Sequence, residues 1–293
     1  MSSPVKRLVN HAAYRRRRLR QRFRSVVIGG HDTSKAVWIS SWQRSGSTWL
    51  AEMLASPPGT RLVYEPANIP DGYFDGAEAA LTPPPLDSPV HISAVVDGLS
   101  GTVRHWWSDQ FNQTHLPQRL VVKDVRGLGI AGRVAEALGT TPIIILVRNP
   151  IDVATSTIRL GWFDTTLDVR SAFLSEVTRW CEYHEQALRD ERLRRALWVS
   201  YEELEAAPLD ELTKLRTYLL TFSSTWRALD LTTLDTTRRS ATDFTNTSGP
   251  KIDPAWSTEA VAVVDRSPFA ALYGSIAATP HALATLVNAV RAQ

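Results

Sequence analysis

The stretch from residue 36 to residue 50 constrains the fold of this chain more than any other. It opens with a short apolar run of strand composition, Ala36–Ile39, and it ends in good helix formers from Trp49 onwards. Between them lies a small, polar and cationic segment, Gln43-Arg44-Ser45-Gly46-Ser47-Thr48. A strand, a tight loop and a helix start in this order form an anion cradle, because the first amides of a helix lack internal partners and the helix dipole adds positive potential.

The loop differs from the Walker A loop that binds nucleotides together with magnesium. That motif needs two glycines separated by four residues, followed by Lys and Ser or Thr. Here no glycine lies close to Gly46 on its N-terminal side, and no Lys-Ser/Thr pair follows it. Gly46 lets the backbone approach a ligand, and Arg44 adds a fixed charge. The loop therefore indicates a phosphate that is held without a metal, and the plain alternative is a Ser/Gly turn between a strand and a helix.

Apolar runs of strand length alternate with helical segments along the rest of the chain. Residues 142–147 are almost wholly apolar, which is typical of a central parallel strand covered on both faces. Helices are expected at about 167–190 and at 209–220, and residues 236–258 look like a loop. This alternation predicts one α/β domain over residues 31–293. We expect a central parallel sheet flanked by helices, with ligands at the carboxyl ends of its strands.

Four polar groups directly follow predicted strands: residues 44–49, Glu65, residues 123–126 and residues 148–156. Because the strand ends of a parallel sheet meet at one edge, we expect these groups to share a cleft. Arg148 leaves the apolar strand, and Ser156 lies two turns into the helix that follows. An arginine and a hydroxyl in these positions can bind one phosphate from two sides.

These segments resemble the motifs of sulfotransferases that use 3′-phosphoadenosine-5′-phosphosulfate (PAPS). Arg44-Ser45-Gly46-Ser47-Thr48-Trp49 matches the phosphate loop of the family, and residues 148–156 match its Arg-Asn-Pro motif. Residues 201–204, Tyr-Glu-Glu-Leu, followed by a proline and a leucine-periodic helix, resemble a third motif. The three occur in family order over residues 36–220. The resemblance implies a P-loop-like fold and transfer of a sulfuryl group from PAPS to an acceptor hydroxyl.

The resemblance also implies a role for each matching position, with PAPS as co-substrate and no metal. The residues fall into three groups by the part of PAPS that they would contact: the 5′-phosphosulfate (Arg44, Ser45, Gly46, Ser47 and Thr48), the 3′-phosphate (Arg148, Ser156 and Lys251) and the adenine (Trp49 and Tyr201). Lys251 stands where the family often has an Arg-Lys-Gly segment. Core packing on its own helix is the alternative for Trp49.

The general base distinguishes two branches of the family. Cytosolic enzymes of phenols and steroids carry a Lys-Thr-His at the corresponding strand and use its histidine, but here Val125 follows Lys123 and Asp124. Carbohydrate-type members place a Glu-Pro shortly after the phosphate loop, and Glu65-Pro66 fits that arrangement. The resemblance therefore implies Glu65 as general base, with Arg44 and Lys123 stabilising charge on the reacting oxygens. The expected acceptor is a small molecule, a sugar or a glycolipid.

The N-terminal segment is strongly basic. Residues 1–24 hold nine basic side chains and no acidic one, whereas the whole chain has a formal net charge of only +3. Such a block is typical of a solvated, flexible arm, here residues 1–30, and the sharper alternative is peripheral contact with an anionic membrane. Nucleic acid is not expected as a partner. The lone Cys181 and the lack of a long apolar run predict a cytoplasmic protein with a buried thiol.

Two other functions remain open from the sequence. A kinase-like P-loop enzyme would need a Walker lysine and a carboxylate for magnesium, and neither is found. A non-catalytic protein could keep the nucleotide pocket and act through its basic arm. Binding of adenosine 3′,5′-bisphosphate without turnover on any acceptor would favour that second alternative.

Overall fold

The computed structural model describes residues 33–67, 89–99, 118–125, 127–138, 141–193, 196–231 and 250–267. Five strands form one sheet: β1 Ala36–Ser41, β2 Thr60–Tyr64, β3 Arg119–Asp124, β4 Ile143–Val147 and β5 Leu197–Ser200. The helices of the described ranges are α1 Ser47–Ala55, α2 Pro89–Leu99, α3 Ala131–Leu138, α4 Pro150–Arg159, α5 Val169–Arg189, α6 Tyr201–Ala206, α7 Pro208–Leu220 and α8 Pro254–Arg266. The basic arm, residues 1–30, and residues 236–249 of the expected loop lie outside the described residues.

The strands run parallel in the order β2-β3-β1-β4-β5, so β1 lies in the centre of the sheet. From β1 the chain proceeds to β2 on one side, and from β4 it proceeds to β5 on the other side. The ends of β1 and β4, which are adjacent, therefore mark the point where the winding direction changes. In open α/β sheets a crevice opens at this point, and it is the usual ligand site.

Both faces of the sheet are covered. Side chains alternate along β1, so that Trp38 enters one core cluster while Val37 and Ile39 enter the other. Helices α1 and α7 cover the second face, and α4, α5 and α8 pack on the first. The expected fold class, a central parallel sheet flanked by helices, is confirmed.

Helix α8 corrects the expectation of a loop over residues 236–258. The carboxylate of Asp253 accepts a hydrogen bond from the backbone N–H of Ala255 at 2.9 Å, and Pro254 occupies the first helical turn. Ala260 and Val264 are buried against the core. The prediction was wrong for residues 254–258 because the polar composition of the segment hid an N-cap followed by proline.

None of the helices in the described ranges combines the length and the apolar character needed to cross a membrane.

Candidate active site

The loop between β1 and α1 has an unusual backbone conformation. Arg44 and Gly46 have positive φ angles of 61° and 84°, and Gly46 caps the N-terminus of α1 in the left-handed conformation. Ser45 and Ser47 are buried, whereas Thr48 is half-buried. The buried Oγ of Ser45 has no hydrogen-bond partner among the described residues. A buried hydroxyl without a partner, next to the first amides of a helix, suits a bound anion.

Tyr201 lies directly against this loop. A Cβ atom added to Gly46 would lie 2.4 Å from Cδ2 of Tyr201, so only glycine fits beneath the ring. The ring centroids of Trp49 and Tyr201 are 6.0 Å apart at 67°, an edge-to-face contact. The two predicted adenine contacts are therefore neighbours, and they border the phosphate loop.

Two arginines converge on the crevice between β1 and β4. Arg44 Nε donates a hydrogen bond to Ser156 Oγ at 3.0 Å, and Arg148 Nη1 donates to the carbonyl oxygen of Arg44 at 3.0 Å. All three residues are half-buried. The loop after β1, the end of β4 and helix α4 thus meet in one hydrogen-bonded cluster with two positive charges. Such a cluster favours an anion with more than one charged group.

A carboxylate holds the end of β4 in place beside β5. Glu202 Oε1 accepts from the backbone N–H of Asn149 at 2.8 Å, and Oε2 accepts from Ser200 Oγ at 2.9 Å. Asn149 in turn caps α4 by accepting from the N–H of Ile151 at 2.9 Å. Glu202 therefore fixes the residue next to Arg148. Sequence reasoning did not assign this role, although Glu202 belongs to the third motif.

Glu65 and Lys123 form a buried ion pair across β2 and β3. Their residues are only 8% and 2% exposed, and the ammonium of Lys123 lies 4.2 Å from the centroid of the Tyr64 ring. Burial acts to lower the pKa of Lys123, but the charges and hydrogen bonds of Glu65 and Tyr64 together outweigh it, so the pKa is raised. Glu65 has a positive φ of 44°, and its N–H donates to the carbonyl of Lys123 at 2.6 Å.

Asp124, the nearest competing carboxylate, faces away from this pair. It is fully buried, and its Oδ2 accepts a hydrogen bond from the N–H of Ala67 at 2.7 Å. Because side chains alternate along a strand, Asp124 and Lys123 lie on opposite faces of the sheet.

Two further expectations have different outcomes. Lys251 is exposed just before α8, and its contact with a phosphate stays a prediction. Trp256 in the first turn of α8 packs on Phe173 with ring centroids 6.3 Å apart. Cys181 is buried as expected, and burial raises the pKa of its thiol to about 11. Within the described ranges, no group of three or more His, Cys, Asp or Glu side chains could hold a metal ion.

The fold and the cluster at the β1–β4 crevice define an α/β enzyme class with a P-loop-like anion site. The sequence profile of the sulfotransferase family matches residues 36–221, a range that spans all three motifs. The chain belongs to the sulfotransferase family. It is an enzyme of sulfuryl transfer, and the kinase-like alternative is thereby removed.

Solved structures of sulfotransferases resemble the chain at low sequence identity. The sulfotransferase from Alicyclobacillus acidocaldarius is 16% identical, with 78% of this chain and 93% of that chain covered and a TM-score of 0.47. Mouse sulfotransferase SULT7A1 complexed with PAP is 13% identical, with coverages of 87% and 89% and a TM-score of 0.46. The sulfotransferase domain of the Synechococcus PCC 7002 olefin synthase is 22% identical, with coverages of 78% and 88% and a TM-score of 0.43. A search of curated protein sequences finds no match.

Proposed function

We propose that this sulfotransferase moves a sulfuryl group from PAPS to a hydroxyl group of a carbohydrate or glycolipid. The observation that carries the proposal is the cluster of Arg44, Arg148 and Ser156 beside the N-terminus of α1. PAPS carries anionic groups at both its 5′ and its 3′ ends, and two arginines at one crevice complement such a ligand.

The 5′-phosphosulfate binds at the loop from Arg44 to Thr48. The unpartnered hydroxyl of Ser45 and the first amides of α1 supply hydrogen-bond donors, and Gly46 allows the backbone to approach. The 3′-phosphate binds at Arg148 and Ser156, whose hydroxyl accepts from Arg44 and keeps its own hydrogen to donate. Lys251 adds a third contact to the 3′-phosphate.

The adenine binds against Trp49 and Tyr201. Both rings are half-buried, so each keeps surface that a base can cover. The guanidinium carbon of Arg148 lies 4.4 Å from the centroid of the Tyr201 ring, so the base and the 3′-phosphate share neighbours. This arrangement suits a nucleotide that carries a phosphate at the 3′ position, close to its base.

Glu65 acts as general base. Its carboxylate accepts the proton of the acceptor hydroxyl while the acceptor oxygen forms a bond to sulfur and the bond from sulfur to the bridging oxygen breaks. Lys123 holds the carboxylate of Glu65 in place before the reaction through the buried ion pair. Once Glu65 carries the proton, the ammonium of Lys123 loses its counter-charge. It then stabilises the sulfuryl oxygens, while Arg44 stabilises the bridging oxygen.

The carbohydrate or glycolipid acceptor follows from the position of the base. The Glu65-Pro66 pair after β2 resembles the arrangement of carbohydrate-type members, and the histidine of the phenol and steroid branch is replaced by Val125. Most of the two segments expected to shape the acceptor site, residues 66–118 and 221–258, lies outside the described residues.

Transfer of labelled sulfate from PAPS to a panel of sugars, glycolipids and phenols tests the proposal. We expect labelled sugar or glycolipid, in EDTA as well as in magnesium, and label formed at least about 100-fold more slowly with the Glu65→Gln variant. Label on phenols alone would refute the acceptor class and leave sulfuryl transfer standing. Binding of adenosine 3′,5′-bisphosphate with no label on any acceptor would point instead to a non-catalytic nucleotide-binding protein.

A further inference from the structure

A buried carboxylate of helix α5 contacts the start of the phosphate loop. Glu176 is 1% exposed, and its Oε1 accepts hydrogen bonds from Trp42 Nε1 at 2.8 Å and from Gln43 Nε2 at 2.9 Å. These donors come from the two residues between β1 and Arg44. They lie more than 130 positions from Glu176 along the chain, so the contact joins the loop to a distant helix.

The other carboxylate oxygen is also satisfied. Glu176 Oε2 accepts from Arg179 Nη2 at 2.5 Å, one turn further along α5. The ion pair offsets the negative charge of Glu176, so this charge detracts little from the positive potential of Arg44 and Arg148. A buried carboxylate with three donors is well satisfied and is costly to disturb.

The loop needs an external support for a physical reason. Arg44 adopts a positive φ of 61°, which is a strained conformation for a residue with a side chain. Such a conformation persists only where the surrounding structure fixes it. The side chains of Trp42 and Gln43 donate hydrogen bonds to Glu176. These two contacts fix the backbone on the N-terminal side of Arg44.

We propose that Glu176 is a positioning residue for donor binding, acting through Trp42 and Gln43 on the conformation of Arg44. It holds the guanidinium of Arg44 where it meets Ser156, without itself touching the donor. This inference rests on the proposed donor site at Arg44 and Arg148. It adds a residue of α5 that lies outside all three motifs.

The test is calorimetric titration of adenosine 3′,5′-bisphosphate into four proteins at a temperature well below their Tm. They are the wild type, Glu176→Gln, Gln43→Ala and the control Glu185→Gln. Glu185 is a buried glutamate on the same helix that is paired with Arg189, so its variant loses the same charge without contact to the loop. Gln43→Ala removes a half-buried loop side chain. It disrupts the same contact from the other partner, so the contact can still be tested if Glu176→Gln folds poorly.

We expect Kd to rise about tenfold in Glu176→Gln and about threefold in Gln43→Ala, with the control unchanged within a factor of two. In a fifth protein that combines Glu176→Gln with Gln43→Ala, binding should be no weaker than in Glu176→Gln alone, because both changes disrupt one contact. General destabilisation would lower Tm in all three single variants without changing the Kd of the folded protein.

An unchanged Kd in Glu176→Gln and Gln43→Ala would overturn the inference while leaving the donor site intact. An equal rise in Glu185→Gln would also overturn it, because the effect would then belong to the helix and not to the loop contact. If the wild type itself fails to bind adenosine 3′,5′-bisphosphate, the proposed donor site falls, and this inference falls with it.

Discussion

The guanidinium carbon of Arg148 lies 4.4 Å from the centroid of the Tyr201 ring, and the same ring lies against Gly46. Tyr201 therefore contacts both the loop assigned to the 5′-phosphosulfate and the arginine assigned to the 3′-phosphate. The ends of β1, β4 and β5 meet at this one aromatic side chain. A cation over an aromatic face contributes about 0.5–2 kcal/mol, which helps to orient Arg148 before any ligand arrives.

Replacing Arg148 with alanine should weaken binding of adenosine 3′,5′-bisphosphate by about 2–4 kcal/mol. The substitution removes charge-assisted contacts to a partly buried phosphate and the hydrogen bond to the carbonyl of Arg44. Calorimetry measures the change, and Arg170→Ala is the matched control because Arg170 is an exposed arginine paired with Glu259. A normally folded Arg148→Ala protein with unchanged affinity would show that the second motif is misassigned.

Replacing Gly46 with alanine should disrupt the donor site through a steric clash. The new Cβ would lie 2.4 Å from the Tyr201 ring, in addition to the cost of a φ of 84°. Gly161 is the control, since it also has a positive φ, of 71°, and no described atom lies within 4 Å of an added Cβ.

The two glycine variants should therefore differ in thermal unfolding and in ligand binding. We expect Gly161→Ala to lose about 1–2 kcal/mol of stability, the cost of the left-handed conformation alone, and to bind normally. Gly46→Ala should lose more stability and bind adenosine 3′,5′-bisphosphate poorly. Identical behaviour of the two variants would argue against close packing of Tyr201 on the loop.

Glu65→Gln should lower kcat by roughly 10²–10⁴ while the affinity for the donor stays near that of the wild type. The amide keeps the shape of the side chain but cannot take the acceptor proton. The acidic limb of the pH–rate profile should flatten, because that limb reports protonation of the base. Asp124→Asn is the comparison variant, since Asp124 lies on the opposite face of the sheet. Near-normal turnover in Glu65→Gln would contradict its role as the base and move attention to Asp124.

His184 should make the protein less stable as the pH falls below neutrality. Burial lowers the pKa of His184 to about 4, against 6.5 for an ordinary histidine, although its Nδ1–H donates a hydrogen bond to the carbonyl oxygen of Trp180. Between these two pH values the unfolded chain binds more protons at His184 than the folded chain does. The stability that the neutral, buried His184 contributes is therefore complete above about pH 6.5 and is lost as the pH falls towards 4.

Urea unfolding at pH 6.5 and at pH 5 measures this effect. From pH 6.5 to pH 5, the free energy of unfolding should fall by about 2 kcal/mol more in the wild type than in His184→Gln, whose side chain does not titrate. The variant will have a different absolute stability, so the comparison rests on the pH dependence. Equal losses in the two proteins would mean that His184 does not titrate with a lowered pKa.

Local patterns were enough to predict the fold class. The apolar run of β4 and the polar segments after β1, β2, β3 and β4 follow from composition, and the meeting of Arg44 with Arg148 and Ser156 follows from the parallel strands that carry them. The pairing of Glu65 with Lys123 did not follow, because it depends on β2 lying beside β3 and joins residues 58 positions apart. The sequence therefore assigned them separate roles, whereas the structure joins them.

Side-chain contacts from distant helices were beyond prediction for a similar reason. Glu176 lies on a long helix with alternating buried and exposed positions, and no local pattern distinguishes it from Glu185. Only the packing of α5 beside the β1–α1 loop brings its carboxylate to Gln43. Helix α8 is the opposite case, since Asp253 as N-cap and Pro254 in the first turn are a local signal for a helix start.

The crevice between β1 and β4 is proposed to hold a nucleotide with a 3′-phosphate and to need no metal. Calorimetric titration of the wild type in EDTA with adenosine 3′,5′-bisphosphate and with AMP tests this proposal most directly. The two ligands differ only in the 3′-phosphate, which Arg148 and Ser156 are proposed to bind. We predict that the bisphosphate binds at least about 30-fold more tightly, as expected for charge-assisted contacts worth about 2 kcal/mol. Equal affinities would contradict the account, because they would mean that no 3′-phosphate site exists.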